Sequence, residues 1–259
     1  MKLIYDLGIF LYGAVLRLIS PFNSKARLWI AGRKNWERSL QEQIKRDQHY
    51  IWVHCASLGE FEQGRPVIEA LKKEAPTCKV ILTFFSPSGY EVRKNYSLAD
   101  VVCYLPADTP RNSERFISIV RPAVAIFVKY EFWYNYISAL HKKGIPLYLI
   151  SGIFRSSQPF FRWYGMFFRK MLLNFSHFFV QDQRSESLLK SAGISNVTVA
   201  GDTRFDRVVR IAAQVRDIPE LEAFRGNSRL FLAGSSWPPD EEIISRYILN
   251  DKDEVKWVF

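Results

Sequence analysis

The sequence predicts an α/β fold in which helices cover a parallel sheet on both faces, followed by the start of a second unit of the same kind. Two observations support this prediction. From residue 50 onward, short runs of β-branched and aromatic residues alternate with longer helical patterns. These runs are apolar on both faces, which is typical of parallel strands buried between helices. At 259 residues, the chain is long enough for one large domain and part of another.

Seven apolar runs are predicted to form the strands of the first sheet. In chain order they are IWVHCA (51–56), KVILTFF (79–85), VVCYL (101–105), AVAIFV (123–128), PLYLIS (146–151), HFFVQ (177–181) and NVTVA (196–200). Helical patterns lie between them, among them RPVIEALKKEA, FWYNYISALHKKG, PFFRWYGMFFRKMLLN and RSESLLKSAG. The last pattern ends at Gly193, a residue type that is typical of helix C-caps.

A second strand–loop–helix unit is predicted near the end of the sequence. RLFLAGSSW precedes the helical pattern PPDEEIISRYILN, and VKWVF has the pattern of another strand. One such unit and a fragment cannot close a domain core, so we expect this second domain to be incomplete. The predicted segments are an N-terminal membrane-surface anchor (1–38), the main α/β domain (39–203), a connector (204–228) and the truncated start of a second domain (229–259).

The first 38 residues join an apolar stretch to a basic, aromatic continuation. The uncharged run from Leu7 to Leu16 covers ten residues, whereas a helix needs about 20 to cross a bilayer. Asp6 and the lack of a small-residue cleavage site argue against a signal peptide. The continuation carries cations and indoles suited to a membrane interface, namely Lys25, Arg27, Trp29, Arg33, Lys34, Trp36 and Arg38. We therefore predict a monotopic anchor; the alternative is an amphipathic helix packed on its own domain.

The formal net charge of +10 predicts an anionic partner, which can be nucleic acid, a phosphorylated substrate or an acidic membrane surface. Nucleic acid is disfavoured because the sequence has no recognisable binding motif and no dense stripe of Lys and Arg. The three cysteines, Cys55, Cys78 and Cys103, are widely spaced, and no CxxC or paired histidines stand at metal-ligand spacing. We expect reduced thiols, no metal and no cofactor.

Polar segments follow the predicted strands, at the edge of an α/β sheet where ligands bind. They include SLGEFEQG (57–64), SPSGYE (86–91), PADTPRN (106–112), KYEFWYN (129–135), SGIFRSSQ (151–158) and QDQR (181–184). Their serines, glycines, arginines and acids suit a polar substrate that carries phosphate. No GxGxxG or GxxxxGK[ST] pattern is present, so the sequence lacks the glycine-rich phosphate-binding loops of dinucleotide-binding and P-loop proteins.

Two glutamates at these strand ends have two possible roles. Glu60 stands three residues after Ser57, which is the spacing of a helix capping box. The functional alternative is a general base, with Gly59 and Gly64 allowing a substrate to approach the backbone. Glu131 directly follows a strand and is either an acid in the first turn of a helix or a functional group.

Other polar residues also allow two interpretations. Arg155 follows a strand and is suited to phosphate, since guanidinium can bind two phosphate oxygens at once; a surface arginine is the alternative. SSWPPDEE (235–242) has the pattern of a helix start, with Ser236 near the N-cap. The histidines, His49, His54, His141 and His177, are scattered, and none is assigned a catalytic role. His54 is expected to be hydrogen-bonded inside its strand.

Nine motifs in register resemble those of the 3-deoxy-D-manno-octulosonic acid (Kdo) transferases, which attach Kdo from CMP-Kdo to the lipid A precursor. In chain order they are RLWIAGRK, VHCASLGE, TFFSPSGYE, YLPADTP, YEFWYN, ISGIFRSS, QDQR, VTVAGDTRFD and AGSSWPPDEE. The chain departs from the family pattern in having Lys129 two positions before Glu131, and Trp-Tyr-Asn in place of Trp-Pro-Asn.

The resemblance implies a GT-B glycosyltransferase fold with two Rossmann-like halves, the N-terminal one for the acceptor and the C-terminal one for most of the nucleotide sugar. It implies an inverting, metal-independent transfer of Kdo from CMP-Kdo to the lipid A precursor in lipopolysaccharide biosynthesis. Glu60 would remove the proton of the acceptor hydroxyl, and Glu131 would orient the acceptor or stabilise positive charge at the anomeric carbon. A truncated, non-catalytic module that binds membrane and lipid A precursor is the alternative.

The resemblance also implies further site residues and a location. The expected acceptor-side residues are Ser57, Gly59, Ser86, Ser88, Gly89, Asn135, Ser151, Arg155 and Ser156, with Ser157 as a weaker candidate. The expected donor-side residues are Ser235, Ser236 and Trp237. The acceptor implies that the anchor lies on the cytoplasmic face of the inner membrane. Most of the family's C-terminal half lies outside the sequence, so we expect the chain alone to hold CMP-Kdo poorly.

Overall fold

The computed structural model describes residues 1–45, 47–214, 217–250 and 255–259. It divides the chain into two compact units, Met1–Val209 and Arg210–Phe259. The predicted connector and second domain include residues 215–216 and 251–254, which lie outside the described residues. The four predicted segment boundaries stay predictions.

The first unit contains a seven-stranded sheet in the order β3-β2-β1-β4-β5-β6-β7, with all neighbouring strands parallel. The strands are β1 (Tyr50–Cys55), β2 (Lys79–Phe84), β3 (Val101–Tyr104), β4 (Pro122–Val128), β5 (Leu147–Gly152), β6 (His177–Val180) and β7 (Val197–Val199). This confirms the predicted parallel α/β fold. The order reverses between β1 and β4, and such a switch point opens a crevice at the carboxyl ends of the strands.

Ten helices of the described residues precede or follow these strands. They are α1 (Lys2–Ile19), α2 (Ser24–Ala31), α3 (Trp36–Gln43), α4 (Leu58–Glu74), α5 (Pro87–Arg93), α6 (Pro110–Val120), α7 (Tyr134–Lys142), α8 (Met166–Leu172), α9 (Gln183–Ser191) and α10 (Arg204–Ala212). The pattern PFFRWYGMFFRKMLLN is not one helix, because only Pro159–Phe161 and α8 are helical. The chain turns back at Gly165, where a Cβ atom would lie 1.7 Å from the Pro159 carbonyl oxygen.

The core lies on both faces of the sheet, as the apolar runs predict. Trp52 and Phe127 pack in the larger cluster on one face. Val53, Cys55 and Phe61 belong to the cluster on the other face, beneath α4. Because the central strands β1 and β4 are buried on both faces, their ends are held rigidly, and the loops that follow them have fixed starting points.

The N-terminal helix α1 is tied to the carboxyl edge of the sheet by polar contacts. The Tyr5 hydroxyl donates to Asp108 Oδ2 at 2.6 Å, and Asn135 Nδ2 donates to Asp6 Oδ1 at 2.9 Å. Its opposite side exposes large apolar side chains, among them Leu3, Leu7 and Leu18. Among the described helices, none is sufficiently long and apolar for a membrane span.

Part of the basic, aromatic segment has a structural role instead of the expected interfacial one. Arg33 Nε and NH2 donate to the carbonyl oxygens of Leu105 and Phe85, and the guanidinium lies 3.8 Å from the Trp29 ring centroid. Burial lowers the pKa of Arg33 to about 9. Trp29 is itself buried. These two residues therefore fasten α2 to the sheet, while Lys25 and Arg27 are exposed.

The second unit has the predicted strand–loop–helix order. It contains α11 (Pro219–Arg225), β8 (Arg229–Leu232), α12 (Pro238–Asn250) and β9 (Val255–Val258). Strands β8 and β9 pair in parallel.

Candidate functional site

The two candidate catalytic glutamates follow the central strands of the sheet, β1 and β4, at the switch point. Cys55, the last residue of β1, is fully buried, and burial raises the pKa of its thiol, with the negative charges of Glu60 and Glu131 adding to the effect. The negative charges of both carboxylates therefore influence the carboxyl end of β1. The fold brings together two acids that are 71 positions apart in the sequence.

Glu131 is nearly buried and is held by two ring nitrogens. Its Oε2 accepts a hydrogen bond from Trp133 Nε1 at 2.6 Å and lies 3.0 Å from His54 Nε2. The Glu131 side chain is 8% exposed, and the His54 side chain is fully buried. A buried carboxylate is tolerated only where such partners are present.

Both ring nitrogens of His54 have hydrogen-bond partners. His54 Nδ1 lies 2.8 Å from Thr83 Oγ1, which also accepts from Trp52 Nε1, and 3.2 Å from the Thr83 carbonyl oxygen. The Glu131 carboxylate can only accept, so His54 Nε2 carries a proton and donates a hydrogen bond to it. The prediction that His54 is hydrogen-bonded inside its strand is confirmed, but its partnership with Glu131 was not expected from the sequence.

Glu60 lies half-buried in the first turn of α4, directly after β1. The hydroxyl of Ser57, the N-cap residue, donates to Glu60 Oε2. Ser57 accepts no capping hydrogen bond at this helix end, so the reciprocal contacts of a capping box are not formed. Ser57 instead fixes the orientation of the carboxylate.

Three glycines near Glu60 differ in their surroundings. Gly59 is exposed, and a Cβ atom there would lie 3.8 Å from Ser57 Oγ. Gly64 is not placed to admit a substrate, because a Cβ atom there would lie 3.0 Å from Cys55 Sγ inside the core. At the buried Gly89, a Cβ atom would lie 2.3 Å from Phe84 and 3.0 Å from the Ser57 carbonyl carbon. Gly64 and Gly89 therefore let α4 and α5 pack closely against the strands.

Ser86 and Ser88 begin α5 at the carboxyl end of β2. The Ser86 hydroxyl accepts a hydrogen bond from the Ser88 backbone N–H at 3.3 Å, and the two hydroxyls are 3.0 Å apart. Ser88 is exposed and Ser86 is half-buried. Both hydroxyls lie at the same strand edge as Glu60.

Asn135 is buried, and its amide group is already used in the fold. Asn135 Nδ2 donates to Asp6 Oδ1 and to the Asp108 carbonyl oxygen, at 2.9 and 2.7 Å. The Asp108 carboxylate accepts hydrogen bonds from Tyr5 and from the backbone at the start of α7. Burial raises the pKa of Asp108 to about 6, although these hydrogen bonds oppose the shift. Asn135 and Asp108 thus position α1 at the edge of the site.

Two neighbouring strand ends contain residues in the left-handed region. Lys129, directly after β4, has φ of 68°, and Ser151, within β5, has φ of 51°. Non-glycine residues rarely adopt this conformation, and strained positions concentrate at functional sites. The Ser151 hydroxyl lies 2.8 Å from Thr203 Oγ1, which donates to the Gln63 carbonyl oxygen. This links the end of β5 to α4.

The loop after β5 presents Arg155 and Ser156 to solvent. The Arg155 backbone N–H donates to Gln158 Oε1 at 2.9 Å, which closes the loop. In the part of the chain that the structure describes, the Arg155 guanidinium has no hydrogen-bond or ion-pair partner. Within these same ranges, no group of three or more His, Cys, Asp and Glu side chains could hold a metal ion.

The donor-side candidates lie in the second unit, in the loop before α12. Ser235 has φ of 60°, the Ser236 hydroxyl donates to Glu241 Oε1 at 2.9 Å, and Trp237 is exposed. The Trp237 backbone N–H donates to Asp240 Oδ2 at 3.0 Å. The segment is therefore a helix start, as its pattern predicts.

Comparisons with known proteins identify similar sequences and folds. Residues 33–207 match the family model described as "3-Deoxy-D-manno-octulosonic-acid transferase (kdotransferase)". A 3-deoxy-D-manno-octulosonic acid transferase of Rickettsia bellii is 27% identical over 86% of this chain and 54% of its own length. The corresponding protein of Bordetella pertussis is 29% identical over 64% of this chain and 40% of its own length. The chain thus spans about half the length of these relatives, or less.

Solved structures agree on the fold. A UDP-GlcNAc 2-epimerase of Neisseria meningitidis bound to UDP-GlcNAc is 14% identical, with a TM-score of 0.56 over 81% of this chain and 71% of its own. The Methanocaldococcus jannaschii UDP-GlcNAc 2-epimerase is 14% identical, with a TM-score of 0.53 over 82% and 72%. At these identities the likeness shows the fold alone, and it supports the predicted Rossmann-like α/β architecture.

Proposed function

The chain belongs to the 3-deoxy-D-manno-octulosonic-acid transferase family, and on this premise we propose that it acts in the transfer of Kdo from CMP-Kdo to the lipid A precursor. Its first unit would bind the acceptor, and its second unit would belong to the donor side. The observation that carries this assignment is the placement of Glu60 and Glu131 at the ends of the two central strands, on either side of the switch point.

Glu60 is suited to the role of general base. A sugar hydroxyl is a poor nucleophile, and a positioned carboxylate that removes its proton contributes about 10²- to 10⁴-fold to the rate. The first turn of α4 and the Ser57 hydroxyl fix the half-buried Glu60 carboxylate, and the neighbouring Gly59 is exposed. The acceptor oxygen attacks the anomeric carbon from this side with inversion, and CMP leaves.

Glu131 is suited to orienting the acceptor or to stabilising positive charge at the anomeric carbon. Its hydrogen bonds from His54 and Trp133 prevent the carboxylate from rotating. A fixed negative charge in buried surroundings stabilises a developing positive charge more strongly than it would in water.

Different parts of the chain would bind the acceptor phosphate and the membrane: polar groups after β5 the phosphate, and the N-terminal helix the membrane. Arg155 and Ser156 are exposed at the end of β5 and can bind phosphate oxygens. The apolar outer side of α1 would rest on the cytoplasmic face of the inner membrane, with Lys25 and Arg27 near anionic headgroups.

The test is Kdo transfer from CMP-Kdo to tetraacylated lipid A precursor, using the chain alone and then with a family C-terminal half added. We expect product once the added half delivers the donor, and a loss of at least 100-fold for Glu60→Gln. Glu74→Gln is the matched control, because Glu74 is an exposed glutamate at the far end of α4. Near-normal transfer by Glu60→Gln would overturn its role as base.

The same experiment separates transfer from the alternative function. If folded chain with the added half forms no product but still sediments with vesicles containing lipid A precursor, the chain is a non-catalytic binding module.

A further inference from the structure

An apolar cavity of about 320 Å³ lies between α1 and the carboxyl edge of the sheet in the first unit. Its main lining side chains are Ile9, Tyr12, Trp29, Phe85 and Trp133. They come from α1, from α2 and from the loops after β2 and β4. Ala107 and Asp108, in the loop after β3, complete the lining. The lining is almost free of polar surface, so the cavity is a poor site for a sugar or a phosphate group and a good one for a hydrocarbon.

The walls of this cavity are ordered by ring-to-ring packing. The Phe85 ring centroid lies 4.6 Å from the Trp133 centroid and 5.7 Å from the Trp29 centroid. The centroids of the Tyr12 and Trp29 rings are 5.9 Å apart. The hydrogen bonds of Tyr5 and Asp6 to the sheet edge hold α1 in place as the remaining wall. These contacts hold the walls in position, so binding requires little further ordering of the side chains.

The cavity adjoins the proposed acceptor site through one residue. Trp133 lines the cavity with its ring and donates its N–H to Glu131 at 2.6 Å. The side chain of Trp133 therefore connects the cavity wall to the Glu131 carboxylate. On its outer side, α1 exposes a row of apolar residues, including Leu7 and Leu11, so an acyl chain passing from a membrane to the cavity would remain against apolar surface.

We propose that this cavity binds one acyl chain of the lipid acceptor and thereby sets the distance of the acceptor hydroxyl from Glu60 and Glu131. A methylene group is about as large as a water molecule, which takes about 30 Å³ of liquid, so the cavity holds on the order of ten chain carbons. The inference rests on the proposed function.

The experiment measures quenching of tryptophan fluorescence in the full chain by 9,10-dibromostearate, because bromine quenches indoles that it contacts. Ala107→Leu adds carbon atoms to the cavity wall and should weaken binding at least tenfold, since each excluded methylene costs about fourfold in affinity. Ile9→Phe on α1 is a second cavity-filling variant that leaves the sheet core untouched. Its matched control is Ile4→Phe, an exposed position of the same helix, which should bind as the wild type does.

The location of quenching provides a second control. Trp163 is 90% exposed and lies outside the cavity lining, so Trp163→Phe should lower the total fluorescence but leave the amplitude of the quenched signal unchanged. Equal quenching in wild type and in both filling variants, shown to be folded by circular dichroism, would overturn the proposal.

Competition between lipids and 9,10-dibromostearate identifies which lipid supplies the bound acyl chain. We expect tetraacylated lipid A precursor to displace the brominated chain at least tenfold more effectively than lysophosphatidylglycerol, and the deacylated precursor not to displace it. Equal displacement by both lipids would mean a general lipid site and would overturn the assignment to the acceptor. Failure of the proposed function is seen separately, as absence of Kdo transfer with the added C-terminal half, because the quenching assay requires no catalysis.

Discussion

Single side chains at the strand ends define the candidate site, and His54 is the one whose role changed most between sequence and structure. It stands between Thr83 and Glu131, with both ring nitrogens in hydrogen bonds. No sequence pattern couples a histidine to an acid 77 positions later; the coupling exists because β1 and β4 are neighbours and place His54 beside Phe127. Strand order is a property of the tertiary structure.

Replacing His54 tests whether it positions Glu131. His54→Leu removes the donor and leaves the Thr83 hydroxyl and the Glu131 carboxylate short of a partner, so we expect a loss of about 3 kcal/mol in the free energy of unfolding. Transfer activity per folded molecule should fall about 100-fold, the size that a misplaced group produces. His54→Gln retains an N–H donor and should recover most of the activity. Urea unfolding and transfer assays measure both effects; full activity in folded His54→Leu would contradict the positioning role.

Among the elements, α1 combines features of both interpretations of the N-terminal segment. Tyr5 and Asp6 pack it on its own domain, whereas its outer face stays apolar and exposed. A row of exposed large apolar side chains is typical of an interaction site. The membrane location stays a prediction.

Charges on the outer face of α1 should reduce membrane binding. Leu7→Glu combined with Leu11→Glu places two carboxylates where acyl chains are expected, which opposes insertion and repels anionic headgroups. We expect at least tenfold weaker sedimentation with vesicles containing phosphatidylglycerol. Leu249→Glu, at an exposed apolar position of α12, is the control and should bind normally. Unchanged sedimentation of the double variant would show that α1 does not face the membrane.

At the scale of the whole molecule, one buried acid makes the stability of the first unit depend on pH. The pKa of Asp108 is about 6 in the folded state and 3.8 in the unfolded reference. Between these values the folded chain binds more protons than the unfolded chain, so the free energy of unfolding falls as the pH rises from about 4 to 6.

Asp108→Asn should remove that part of the pH dependence. The wild type should lose up to about 3 kcal/mol more than the variant between pH 4 and 6. Urea unfolding at several pH values measures the difference. Asp47→Asn, at an exposed acid, is the control and should keep the wild-type slope. Parallel slopes in the wild type and Asp108→Asn would contradict the assignment.

Much of the fold was predictable because local pattern and final structure agree. Strands buried on both faces must be apolar throughout, and each of the seven runs became a strand of the parallel sheet. The prediction of a single helix through Gly165 was wrong. The chain turns back at Gly165 and packs against the Pro159 carbonyl group, and local helix propensity does not reveal this contact. The alternative in which Gly64 admits substrate does not fit the structure, because Gly64 is buried against Cys55 of β1, a contact that local sequence does not reveal.

The α/β class, the candidate acids at strand ends and the resemblance to Kdo transferases follow from residue types and their spacing along the chain. Three features depend on the folded arrangement: His54 and Trp133 hold Glu131, Arg33 attaches α2 to the sheet, and a cavity lies behind α1. These features join side chains from different strands and helices. Their distances depend on strand order and helix packing, which are fixed only when the whole core assembles.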